Sequence, residues 1–201
     1  MIKSSFGYRF LKLNFGLAIY GVGLAMMVHA GIGIPPWDVL AQGLSIQSSL
    51  SFGQATIVVS LLVMLLWIPL RVRPGIGSVL NAILVGLFAD LSMPYLPNFS
   101  EYWQNLSLFI AGMLVISFAT GLYISCGFGK GPRDGLMMGL AQKFNKPFWI
   151  TRTTVEIIVV TIGFMLGGQV REGTLIFALS IGYLNQLAMR MFGLADKSGR
   201  V

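Results

Sequence analysis

Arg152 and Glu156 stand four residues apart in an otherwise apolar run, the spacing that sets two side chains on one helix face. A guanidinium and a carboxylate so placed form a structural ion pair, or they handle a proton or an anion in a hydrated pathway. Glu156 falls about 12 Å along its helix, near the middle of a membrane crossing, where an unpaired carboxylate is costly. Asp90 and Asn81 interrupt another apolar run, and Asn185 and Gln186 a third. Such groups line a cavity or bond between helices. Asp38 and Asp134 each follow a proline closely, at the start of a short helical pattern. There a carboxylate serves as a cap or as a partner of the helix dipole. Arg133, next to Asp134, could reach a lipid headgroup or an anionic substrate. Trp37 reads as an interfacial anchor, and the lone His29 as structural.

Several chemistries are excluded by what is missing. The chain has no Gly-x-Ser-x-Gly, no His-Glu-x-x-His and no phosphate-binding Gly-x-x-x-x-Gly-Lys motif. One histidine and one cysteine (Cys126) cannot build a multi-ligand metal centre or an internal disulfide. The expectation is a protein that is not an enzyme and takes no cofactor or metal.

The acids Asp38 and Asp134 belong to a motif that occurs twice. Gly31-Ile-Gly-Ile-Pro-Pro-Trp-Asp-Val-Leu-Ala-Gln-Gly-Leu44 returns 96 residues later as Gly127-Phe-Gly-Lys-Gly-Pro-Arg-Asp-Gly-Leu-Met-Met-Gly-Leu140. Seven of fourteen positions match, including Gly31/Gly127, Gly33/Gly129, Pro36/Pro132 and Asp38/Asp134, where composition alone gives roughly one or two. The flanking glycines Gly16/Gly112, Gly77/Gly173 and Gly86/Gly182 keep the same shift. The residues after each proline repeat their leucines at helical spacing. Each motif segment is therefore a short helix, either flat on the surface or dipping inward as a re-entrant half-helix; its glycines would allow the second.

The elements that must position these groups follow from hydropathy. The chain is 55% hydrophobic and 10% charged, with mean hydropathy +0.78. Soluble domains carry about 25% charged residues, so this is an integral membrane protein. Six apolar runs approach the ~20 residues a spanning helix needs: Leu13–Ile32, Phe52–Leu70, Ile76–Leu96, Leu106–Phe128, Phe148–Gly167 and Thr174–Phe192. The first is read as an uncleaved span rather than a signal peptide. The net charge of +7 sits at the ends of apolar runs and not in a stripe, which argues against nucleic acid. Thirteen of the fourteen basic residues, all but Arg171, fall on one side, which the positive-inside rule makes cytoplasmic. Both termini are then cytoplasmic. The expected fold is all-α: a polytopic transmembrane bundle of six spans in one membrane domain, built from repeats at about 9–97 and 105–193. Three spans per repeat, an odd number, make the two units inverted.

The Gly-x-Gly-x-Pro-Pro-Trp-Asp-Val-Leu segment, its Gly-Pro-Arg-Asp-Gly-Leu-Met partner and the Arg-Pro-Gly turn at 73–75 resemble the YczE/YyaS/YitT type of bacterial membrane protein, nearest the YczE branch. The resemblance implies a bacterial inner-membrane location and, through the YczE branch, support of antibiotic biosynthesis; it names no substrate and no catalytic residue. Two functional expectations remain open. One is a small-molecule transporter or permease whose pathway uses Glu156, Arg152, Asp90, Asn81, Asn185 and Gln186. The other is a non-transporting partner that docks a cytoplasmic biosynthetic complex, through the basic segment Lys130–Lys146, or a second membrane subunit; a homo-oligomer is a further possible partner arrangement.

Overall fold

Helix α1, Phe6–His29, stops where glycine makes left-handed backbone available: Gly31 has φ 67°. Helix α6, Tyr102–Ile124, ends the same way at Gly127, also at φ 67°. The next glycine of each copy, Gly33 and Gly129, takes φ 121° and 125°. Pro36 and Pro132 then open α2 (Pro36–Ile46) and α7 (Pro132–Phe144), in the first turn, where a missing N–H costs nothing. The sequence repeat is thus a backbone repeat through the motif.

These elements come from a computed structural model that describes residues 5–194, Phe148 and Trp149 by backbone alone. Lys3, Lys197 and Arg200 of the charge argument lie outside the described residues. Among the described residues there are helices and no strand. The remaining elements are α3 (Phe52–Leu65), its short continuation α4 (Trp67–Leu70), α5 (Ile76–Ser92) with a 3-10 turn at Met93–Tyr95, α8 (Phe148–Met165) and α9 (Glu172–Met191).

Among the described residues four stretches are long and apolar enough to cross a membrane: Phe6–His29, Phe52–Leu70, Ile76–Tyr95 and Tyr102–Ile124. Two expected spans are displaced. Leu13–Ile32 and Leu106–Phe128 become helices that begin earlier and stop short of the motif glycines. Hydropathy continued through Ile32 and Phe128, but both lie in the turns the glycines make. Leu62, Leu65, Leu91, Leu114, Leu175 and Leu179 are exposed. So extensive an apolar surface is what lipid covers.

Each motif is pinned to the other copy. Gly77, at the start of α5, donates its N–H to the Phe128 carbonyl at 2.9 Å, and Gly173, at the start of α9, donates to the Ile32 carbonyl at 2.8 Å. These are the same contact, since both residues shift by 96. An arginine secures each turn as well. Arg9 donates to the Cys126 carbonyl from Nε and Nη2 at 2.9 and 2.6 Å, and Arg171 Nη1 donates to the Gly31 carbonyl at 2.7 Å.

Small residues let helices approach closely in a bundle. Helix α1 crosses α6 at Gly23 and Gly112, where a Cβ on Gly23 would lie 2.9 Å from the Gly112 carbonyl oxygen. Helix α2 meets α8 at Gly43 and Gly163. Helix α7 rests instead on α4, where the Trp67 ring covers Gly135 and Trp67 Nε1 donates to the Pro132 carbonyl at 3.0 Å. Trp67 and Gly163 are 96 residues apart, so one copy uses bulk where the other uses backbone contact.

A methyl at Gly163 would stand 2.5 Å from the Leu40 nitrogen and 2.6 Å from the Val39 carbonyl carbon, both rigid backbone. Gly163→Ala is therefore expected to destabilise by about 1–3 kcal/mol. A Cβ on Gly182 meets nothing within 4 Å, so Gly182→Ala is the matched control. Thermal unfolding of the two variants in detergent checks this; equal melting would show that close approach does not hold α2 to α8.

Candidate functional site: a charged cavity between the motif helices

The first turn of α2 is buried through Pro36, Trp37, Asp38 and Val39, and that of α7 through Pro132. Neither motif helix lies flat on the outside of the bundle. Their starts meet at a cavity of about 100 Å³, room for about three waters at liquid density.

Arg133 spans the gap between the copies. Its Nη1 donates to Asp38 Oδ2 at 3.1 Å and its Nη2 to Asp38 Oδ1, a bidentate pair. Asp38 is 2% exposed. This revises two expectations. Asp38 makes no side-chain cap on α2, whose N-cap is Pro35; its carboxylate neutralises a cation from the other motif. Arg133 turns its guanidinium inward to Asp38 and keeps only partial exposure, 22% of its side chain. Trp37 is revised too: it is 5% exposed on the cavity wall, not an interfacial anchor. The Arg133 guanidinium lies 5.9 Å from the centre of its ring. The Trp37 Nε1–H is buried and has no hydrogen-bond partner among the described residues.

The Arg152–Glu156 pair forms as the spacing implies, with Nε to Oε1 at 2.9 Å. Both residues line the cavity, and so do Thr56 and Ser60, their equivalents 96 residues earlier. The second copy therefore contributes a charged pair where the first contributes two hydroxyl groups. Asp134 also lines the cavity. Unlike Asp38, its carboxylate takes part in no hydrogen bond or ion pair among the described residues.

Of the other candidates, Asn81 and Asn185 reach the cavity wall, and Asn185 Oδ1 accepts a bond from Ser117 Oγ at 2.9 Å. Asp90 does not. It accepts from the Gly53 N–H at 2.7 Å and from Ser51 Oγ, holding the amino end of α3. Gln186 is half-buried beside Asn185 but outside the cavity wall. Of the motif residues, Gly31, Gly33, Gly127 and Gly129 shape the turns, and Pro36 and Pro132 start the helices at the cavity. Sequence reasoning missed Tyr20 and Tyr123, which line the cavity from α1 and α6. Among the described residues no group of three or more His, Cys, Asp or Glu side chains is placed to hold a metal ion.

The chain matches, over residues 7–190, the model of a family of unknown function, DUF6198. It is 39% identical over 179 residues to an uncharacterized protein of Haemophilus influenzae, covering 89% of this chain and 82% of that one. It is 31% identical over 176 residues to a Bacillus subtilis protein named "uncharacterized membrane protein YczE", covering 87% and 82%. YyaS of Bacillus subtilis is 23% identical over 185 residues, covering 90% of this chain and 92% of YyaS. No solved structure matches the chain. A multi-pass helical chain that matches the DUF6198 model over nearly its whole length, and YczE at this identity, belongs to the YczE-like DUF6198 family of membrane proteins.

Proposed function

We propose that the protein moves a small polar solute across the bacterial inner membrane, through a site framed by two inverted three-helix repeats. The observation that carries this reading is the charged cavity between the first turns of α2 and α7. Helix starts that break off inside a bundle are a recurrent means of building a transport site at the bilayer midplane. In this reading α8 and α9 cross the membrane as the fifth and sixth spans. Their exposed residues Ile157, Ile158, Phe164, Leu175 and Leu179 support that placement. The reciprocal hydrogen bonds of Gly77 and Gly173 support a pseudo-two-fold axis between the repeats, and the loop charges support cytoplasmic termini.

Uptake of a metabolite panel into proteoliposomes tests transport; flux no higher than in empty vesicles for every solute would overturn it. Topology has its own test. Cysteines at Gln47 and Ser100, both exposed, are expected to label from outside intact cells, and one at Lys143 only after permeabilisation. The native Cys126 is 1% exposed and is expected to stay silent. External labelling at Lys143 would sink the inverted arrangement. The rival reading, a docking partner for a cytoplasmic complex, has the exposed Lys143 and Lys146 in its favour. Co-purification that survives when both are changed to Ala would count against it.

A further inference from the structure

We infer that the cavity between α2 and α7 binds a small zwitterion carrying one ammonium and one carboxylate group, the chemistry of an α-amino acid. The inference rests on the transport reading only for what happens after binding.

Charge on the cavity wall is what selects this class. Arg133 and Asp38 neutralise each other in a bidentate pair, and so do Arg152 and Glu156. One carboxylate remains, Asp134, with no hydrogen bond or ion pair among the described residues. An intramembrane acid in that position calls for a cation or a proton. Opposite in character are the starts of α2 and α7, helices of 11 and 13 residues whose first turns reach the same cavity. Each carries roughly half a positive charge, which favours an anion nearby.

An independent observation points the same way. Trp37 is 95% buried on the cavity wall, and its Nε1–H donates to no described residue. A buried donor left unpaired carries a desolvation penalty, so an acceptor from a ligand relieves it. Arg152 adds capacity for an anionic acceptor, because only its Nε is engaged by Glu156.

A simple anion would satisfy Trp37 and the helix starts but leave Asp134 with no short-range partner, since the arginines that attract it, Arg133 and Arg152, are already paired with Asp38 and Glu156. A simple cation would satisfy Asp134 and face two helix starts of its own sign. A zwitterion meets both demands at once. The cavity volume of about 100 Å³ limits the molecule to a small one.

Three matched probes test this on the purified full chain at pH 7 by calorimetry: L-alanine, propionate, which lacks the ammonium group, and ethylamine, which lacks the carboxylate. L-Alanine is expected to bind at least about tenfold more tightly than either, since each of the others forfeits a charge-assisted contact. Asp134→Asn is expected to weaken L-alanine by about tenfold or more while leaving propionate little changed. Trp37→Phe keeps the ring and removes the donor, so it weakens L-alanine and propionate together; it serves equally if Asp134→Asn does not fold.

Binding of propionate or ethylamine as tight as that of L-alanine, binding of none of the three, or L-alanine binding untouched by both substitutions would each overturn the inference. Proteoliposomes separate its failure from that of the transport reading. Flux of an anion without flux of L-alanine leaves transport standing and removes the zwitterion. Tight L-alanine binding without flux of any solute does the reverse.

Discussion

Arg133→Ala is expected to cost more stability than any other single change to the motif. It leaves Asp38, 2% exposed, as a carboxylate with no partner in the middle of the bundle. Removing one member of a buried ion pair costs about 3–5 kcal/mol, mostly the penalty of stranding the other charge. That is a large share of the stability of a typical domain, so the protein should melt well below wild type or fail to elute as a single species in detergent. Asp38→Ala strands Arg133, which at 22% side-chain exposure retains some access to water; its loss should be somewhat smaller. Replacing both, with Asp38→Leu and Arg133→Met, should recover much of the deficit, since the charges leave together. The comparison with Asp134 is the decisive one. A capping role would make Asp38→Ala and Asp134→Ala equivalent, at about 0.5–2 kcal/mol each. The cross-motif pair makes Asp38→Ala much the worse, and similar melting of the two would refute it.

That pair shows where reading the sequence stopped short. The duplication was visible because Gly, Pro and Asp at fixed spacing are demanded by backbone geometry, and geometry tolerates few substitutes. Gly31 and Gly127 share a φ of 67°, which a residue with a Cβ rarely adopts. The Arg152–Glu156 pair was visible because helix geometry alone brings i and i+4 together. Arg133 and Asp38 are 95 residues apart, and only the folded bundle decides that they meet. A signal did exist. Arg133 has no acid three or four residues away, and the chain has only seven acids in all, so a cation in an apolar motif needed a remote partner. The duplicate acid was the natural candidate. Trp37 was misplaced for a related reason: an indole marks an interface only on a lipid-facing helix, and α2 is buried within the bundle. For Asp90 the sequence leaves open a pathway or a bond between helices, and the structure shows the second; which helix start it holds, that of α3 through Gly53 and Ser51, carries no distinctive sequence mark.

If the protein transports a solute as proposed, Glu156→Gln is expected to leave the fold nearly unchanged and to reduce transport to the rate of empty vesicles. The two halves of that expectation have separate physical grounds. Arg152 and Glu156 side chains are 35% and 24% exposed, so solvent screens the pair and its net worth is about 0–1 kcal/mol. The amide keeps the shape and can still accept from Arg152 Nε, so the melting temperature should move by only a degree or two, on the order of what such a pair contributes. Function is another matter, because Glu156 lines the cavity from one copy only. Ser60, its equivalent in the first copy, is a hydroxyl that cannot exchange charge with a passing solute. Loss of the carboxylate also frees Arg152 from its hydrogen-bonded acid and leaves only the more distant Asp134 to balance it, so it should hold an anionic group more tightly and slow release. Arg152→Ala is expected to lose flux as well but with a larger drop in melting temperature, since it strands the acid. Measuring melting and uptake on the same preparations separates a structural pair from a transport group. Full uptake by a stable Glu156→Gln protein would remove Glu156 from the pathway and leave its bond to Arg152 as a helix-stabilising contact only.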